Sequence, residues 1–183
     1  MKLDARARYT RHVIEESFVK LLRQKPAARI TVRELCSICD INRATFYHHY
    51  RDIFDLLQQM EQALIDRFCQ LISAGNYQDV TCLFLRVLEI FQHEGEVYTV
   101  LCGSNGSADF SARLFVTAYQ QVFPLLQSKV AHLNETTQLQ LYQFLSQGSG
   151  EVIHAWVKDG MKDSPQQVAS FLTKAIHGVM AAF

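Results

Sequence analysis

Proline is scarce in this chain, three in 183 residues. Two of the three, Pro26 and Pro165, stand where a helix ends or begins, so proline punctuates helices here and does not break them. Net charge is absent too, with 18 basic and 18 acidic residues, which taken alone argues against a polyanionic partner. The cysteines are odd in number, five, and lie in apolar helical contexts. That excludes a disulfide framework and fits a reducing, cytoplasmic setting. The first residues are charged and carry no apolar run of the secretory type. No stretch approaches the roughly 18–20 apolar residues that span a bilayer, so no membrane partner is expected. Internal repeats, low-complexity tracts and long linkers are missing. So are a nucleophile–base pair, a phosphate-cradling glycine loop and a set of metal ligands; no enzyme, cofactor or metal is expected.

What is present is apolar and helical. Hydrophobic residues make up 49% and charged residues 20% of the chain, enough for one or two compact domains and too little charge for disorder. The zero net charge conceals an asymmetry. Residues 1–51 hold 11 Lys+Arg against five Asp+Glu, a balance of +6, and the remainder is −6. A basic end on an acidic body is the footprint of an anion-facing head.

Almost every segment repeats with a period of about 3.6 residues. The first helix runs over about 7–24 with Val13, Ile14, Phe18, Leu21 and Leu22 inward, and ends before Pro26. Thr31 is the expected N-cap of a second helix, with Glu34 completing a capping box and Ile30 and Leu35 a hydrophobic staple. Asp40 marks a turn in the left-handed region, which Asp tolerates better than most residues. Asn42 caps a third helix. Leu35, Ile38, Ile41, Phe46 and Tyr50 are expected to form a small core with the first. Asp52 and Asp55 open a connector helix to about Ser73, its apolar set Phe54, Leu57, Leu64, Ile65, Phe68 and Ile72, and 74–76 breaks it. Helices at about 79–92, 97–101, 111–130, 134–157 and after Ser164 complete an all-α chain. The expected domains are a helix-turn-helix head, 1–51, the connector 52–73, and a body, 74–183.

The segment ITVRELCSICDINRATFYHHY, residues 30–50, carries the chemistry. A helix-turn-helix lays its second helix in the major groove while the first crosses the backbone. Arg43 suits guanine O6 and N7, and Ala44 is small enough for close approach or a thymine methyl. Thr45, His48 and His49 suit phosphates, and Tyr47 a phosphate or a base edge. Arg33 and the helix N-termini at Thr31 and Asn42 suit phosphates as well. Phe46 and Tyr50 fall at core spacing. The partner this implies is double-stranded operator DNA.

On these residues the chain resembles the TetR family of bacterial transcriptional regulators. The likeness covers 9–73 and rests on Ile30-Thr31-Val32-Arg33-Glu34-Leu35, on Asn42 through Tyr50, and on Leu56-Leu57. It implies an all-helical, Ω-shaped homodimer of about nine helices per subunit. It further implies that Arg33, Arg43, Thr45, Tyr47, His48 and His49 stand where members contact their operators. Two positions depart from the pattern. Asp40 replaces the usual turn glycine. Ile53 replaces a lysine that grips a phosphate at the start of the fourth helix, which leaves Arg51 as a partial substitute and predicts modest affinity with a shallow salt slope. The body resembles the family faintly. Its LCGSNG and HAWVKDGMKDSPQQV segments look like the branch that includes dihydroxyacetone-kinase operon regulators, and no ligand is carried over from that.

A two-fold dimer would set two reading helices about 34–36 Å apart. Leu141, Leu145, Gly148, Val152 and Trp156, with Val168, Phe171, Leu172, Ala175, Ile176 and Val179, are the expected interface, a four-helix bundle across the axis. The alternative is that these stripes face the subunit's own core. Phe84, Leu88, Phe91, Phe110, Phe115 and Tyr119 are the expected walls of a small-molecule effector pocket; plain core is the competing reading. His93, Glu94 and Glu96 match no strong metal spacing. Cys36 and Cys39 form a CxxC without the further ligands zinc needs, so structural packing is expected. The function read here is a ligand-responsive repressor on a palindromic operator. The alternative is a related module that acts through a protein partner, such as a coactivator.

Overall fold

The computed structural model describes residues 2–75, 79–103, 105–107 and 109–183; the side chains of 2–4, of Glu94 and of much of the 110–130 helix, Phe115 and Tyr119 among them, lie outside the description. The described residues form eight α-helices and a 3-10 turn: α1 Lys2–Leu22, the turn Ala27–Arg29, α2 Val32–Cys39, α3 Arg43–His49, α4 Ile53–Ser73, α5 Val80–Leu101, α6 Phe110–Val130, α7 Glu135–Lys158 and α8 Pro165–Met180. None of these helices is long and apolar enough to cross a membrane.

The chain divides into two compact units, 1–64 with 100–108, and 65–99 with 109–183. The first therefore extends into the helix read as a connector and takes in a distant loop. Its core is Ile14, Phe18, Leu22, Leu35, Phe46, Tyr50 and Leu56, none more than 1% exposed. Helix α2 packs on α1 and on α3. Two expected core residues stand outside it. Ile38 is 50% exposed. Leu35, Cys36 and Cys39 take the inward face of α2, and Ile38 sits about 100° round the helix from Cys39. Phe54 is 59% exposed because Ile53, Leu56, Leu57 and Met60 take the inward face of α4.

Asn105 closes the first unit from its far loop. Its side-chain Nδ2 donates to the Leu22 carbonyl at 2.8 Å, and its backbone oxygen accepts from the Ala27 N–H at 3.2 Å.

In the second unit α6 packs on α7 and α7 on α8. Phe123 and Tyr142 meet edge to face, their centroids 5.1 Å apart. The expected break between two helices near 93–96 is absent: α5 is continuous through Gly95. Gly95 lets the end of the Met161 side chain lie against the helix; a Cβ there would push that flexible side chain aside. Met161 itself has φ 56°, following Gly160 at 80°. That turn returns the chain to α8 with its N–H bonded to the Trp156 carbonyl at 2.9 Å. The Trp156 indole donates to the Asp163 carbonyl at 2.9 Å. Ser164 and Gln167 then form the full capping box of α8, with Pro165 in its first turn.

Candidate nucleic-acid interface

Helix α3, the expected reading helix, is presented by α2 and the turn between them. The Thr31 hydroxyl accepts from the Glu34 N–H at 3.2 Å, so the cap is present. The box expected around it is not. Both Glu34 carboxylate oxygens lie 2.7 Å from Lys25 Nζ. A charge-assisted bond to an ammonium outcompetes a bond back to a neutral amide. At the turn Asp40 has φ 52° and ψ 46°, the left-handed conformation that a glycine would take at lower cost. The Ile41 N–H bonds back to the Cys36 carbonyl at 3.0 Å, and Asn42 Oδ1 accepts from the Ala44 N–H at 2.7 Å.

The geometry of α3 then sorts its side chains. At about 100° per residue, positions 43, 44, 47 and 48 span roughly 140° of one face, and position 46 points away from it. Arg43, Ala44, Tyr47 and His48 are exposed, Thr45 and His49 half-buried, and Phe46 wholly buried. Among the described residues Arg43 takes no hydrogen-bond or ion-pair partner. Thr31, Arg33 and Asn42 are exposed as well. Arg33 borders a shallow notch on α2 with Thr31, Glu34, Ser37 and Ile38.

Side chains of α1 and α4 that sequence reasoning passed over hold this face in place. The Tyr50 hydroxyl donates to Glu15 Oε1 at 2.8 Å. Arg11 lies 5.6 Å above the Tyr50 ring and reaches Gln59 Oε1 at 3.5 Å. Burial, with the Glu15 charge beside it, pushes the phenol far above its ordinary range and keeps it a donor. Burial also lowers the His49 pKa, helped by His48 and then Arg11; the His48 and His49 rings meet edge to face at 5.3 Å. The long sequence separations, α1 to α3, leave no local pattern from which these contacts could be read.

Backbone N–H groups at the start of α4 are taken by its own acids. Asp52 Oδ1 accepts from the N–H groups of Phe54 and Asp55 at 2.8 and 2.9 Å. Arg51 is 86% exposed, yet it lies 3.4 Å from Asp55 Oδ1, and Asp55 Oδ2 takes its backbone N–H at 2.8 Å. That N–H, ahead of the Gln59 amide, holds the Asp55 carboxyl below its usual range. Ile53, where the family pattern has its lysine, is 5% exposed.

Cys36 and Cys39 are buried free thiols. Burial raises both pKa values, disfavouring the thiolate that metal binding or redox chemistry needs. Among the described residues no group of three or more His, Cys, Asp or Glu could hold a metal.

The expected effector walls Phe84, Leu88, Phe91 and Phe110 are all buried. Phe91 meets Phe68 at 6.0 Å and Tyr98 at 4.6 Å between ring centroids, both pairs tilted, which is the geometry of packed core. Phe115 and Tyr119 lie outside the described side chains. The expected dimer stripe divides in two. Leu145, Trp156, Val168, Leu172 and Ile176 are buried within the chain itself, as is Leu141. Phe171, Gly148 and Ala175 are exposed, and Val152 and Val179 half-buried. The reason is that α8 carries two adjacent apolar stripes. Positions 168, 172 and 176 face inward; 171, 175 and 179 are displaced by about 100°. An open groove of about 550 Å³ runs beside the outer stripe, lined in part by Val152, Ala155, Trp156 and Phe171.

Comparison with known proteins converges on one kind of molecule. Residues 78–178, more than half of the chain, match a TetR-type family model described as a transcriptional regulator C-terminal region. Among solved structures, a TetR transcriptional regulator from Streptococcus agalactiae 2603V is similar with a TM-score of 0.72 at 22% identity, covering 96% of this chain and 98% of that one. The dihydroxyacetone kinase operon activator DhaS is similar with a TM-score of 0.65 at 16% identity, over 95% and 97%. The fatty acid degradation regulator FadR from Bacillus halodurans follows with 0.69 at 13%, over 91% and 93%. At these identities the structural likeness concerns the fold. No curated protein sequence matches the chain.

Proposed function

The chain belongs to the TetR family of transcriptional regulators, and on that premise we propose that it reads a palindromic operator as a homodimer through α3. One observation carries the reading. Arg43 stands exposed and, among the described residues, without a hydrogen-bond or ion-pair partner in the first turn of a capped helix whose opposite side, Phe46, is fully buried. A helix seated so firmly, with an arginine left free at its groove-facing end, suits bidentate contact with guanine. Ala44 leaves room for close approach. Tyr47, His48, Thr45 and Arg33 surround it with phosphate donors, and Thr31 and Asn42 begin the two helices. His49 is the weakest contributor, being half-buried, with burial lowering its pKa.

The dimer is supported by the outer stripe of α7 and α8. Phe144 and Phe171 are 64% and 59% exposed. A Cβ at Gly148 or Gly178 would meet nothing within 4 Å. Large apolar side chains beside such open positions suit a second copy of the same helix pair. An effector in the second unit, and repression as the outcome of operator occupancy, complete the reading. DhaS is by its name an activator, so the sign of regulation is read with a promoter–reporter fusion.

The test is selection of genomic fragments by the purified chain, followed by mobility shift. Specific retention of one palindromic sequence over its scrambled version is the expected result. Equal affinity for both would refute a sequence reader.

A further inference from the structure

We propose that Asn105 is a positioning residue for the reading helix, holding the α1–α2 junction from a loop whose geometry is set by the end of α5. The inference rests on the operator reading above and names the residue through which that site is adjusted.

Two backbone groups flank the turn between α1 and α2. The Leu22 carbonyl is one of the last four of α1 and has no partner within the helix. The Ala27 N–H opens the 3-10 turn that leads to Thr31. Both residues are buried, 0% and 6% exposed, so water does not replace a lost partner. Asn105 satisfies both at once, side chain to one and backbone to the other. It thereby fixes the direction in which the chain enters α2, and α2 is packed against α3.

The other side of Asn105 is equally constrained. The Gly103 N–H bonds to the Val100 carbonyl at 3.3 Å and the Gly106 N–H to Gly103 at 3.2 Å. The fold at Gly106 is so close that a Cβ would collide with the Leu101 backbone carbonyl. The loop is thus seated on the final turn of α5. That helix is continuous from Val80 to Leu101, while its residues up to Thr99 belong to the second unit. Asn105 is thus tied through this short loop to the last turn of α5 on one side and to the start of the α2 approach on the other.

Three variants test this: Asn105→Ala, Asn105→Asp, which removes the donor at nearly constant volume, and Gly106→Ala, which displaces the loop without touching Asn105. Leu114→Ala, a fully buried position of the second unit, is the control for general destabilisation. All are compared well below their unfolding midpoints. Amide exchange at Ala27 is expected to quicken about tenfold in the three loop variants. Affinity for the fragment selected by the wild-type chain is expected to fall about 3- to 30-fold. Leu114→Ala should unfold more easily and bind as before. Unchanged exchange at Ala27 overturns the proposal. So does faster exchange with affinity within about twofold of wild type, or an equal loss in Leu114→Ala. A wild-type chain that selects no fragment sinks the operator reading instead, and the Ala27 exchange alone then decides the positioning role.

Discussion

Exposed aromatics occur in both units, but their neighbours differ. In the first, Tyr47 and Phe54 are 57% and 59% exposed, and Arg43 and Arg51 stand close by in sequence. In the second, Phe144 precedes Gly148 by four residues, and Phe171 precedes Ala175 and Gly178 by four and seven. An aromatic among arginines suits a polyanion, on which it lies against sugar or base edges while the cations take phosphates. An aromatic one helical turn from a small residue suits another helix, because the small residue leaves the hollow that the ring fills. On the proposed reading, equal exposure serves two kinds of partner, and the charge around it distinguishes them.

The sharpest way to break this comparison uses two adjacent residues of α8. Leu172 is 2% exposed and Phe171 59%. Leu172→Ala should cost about 2–5 kcal/mol of stability, read by urea unfolding. Phe171→Glu should leave the stability of the isolated subunit within about 0.5 kcal/mol and weaken self-association about 30-fold or more. Sedimentation at micromolar concentration would show wild-type dimer and variant monomer. A wild-type monomer would place the outer stripe among ordinary surface.

In the first unit the matching test is Arg43→Ala. It should cost about 1–3 kcal/mol at the selected operator, relax discrimination at one base pair and leave unfolding unchanged. A uniform loss across all sequences would make Arg43 a phosphate contact only.

The head was largely legible because its signals are local. Thr31 and Asn42 cap the helices they were expected to cap, as Ser164 does in the body, and Asp40 turns in the left-handed region. These are contests between a side chain and backbone groups two to four residues away. Where the competitor is distant, sequence reasoning failed. Glu34 was drawn off by Lys25, a residue outside the helix. The Tyr50–Glu15 bond joins residues 35 apart and Asn105–Leu22 residues 83 apart. The α7–α8 stripes failed differently. Apolar spacing marks both flanks of a helix that is apolar over half its circumference, and periodicity alone does not say which flank faces inward.

A smaller effect probes the missing phosphate contact. Asp55→Asn keeps an oxygen to accept the Arg51 N–H but removes the charge that holds the Arg51 guanidinium. The freed arginine should add about one phosphate contact, steepening the slope of log affinity against log salt by about 0.9. Mobility shifts from low to moderate salt would measure it. An unchanged slope would mean that Arg51 points away from the duplex even when released.

The smallest expected effect is the pH response of His49, and its sign follows from burial. Desolvation, then His48 and Arg11, place the folded-state pKa below the ordinary value of 6.5. Between those two values the unfolded chain binds more protons than the folded one, so stability rises with pH across that window. The contribution is complete above about 6.5 and drains away as the pH falls below it. His49→Gln keeps the bulk and a donor but removes the titration. Urea midpoints of wild type and variant should therefore run parallel above neutrality and diverge on acidification, the wild type falling faster. The other histidines are common to both chains and cancel in the difference. Parallel curves down to pH values well below 6.5 would mean that the ring is hydrated in solution. In that case His49 would join Tyr47 and His48 on the outer face and gain the charge that a phosphate contact needs.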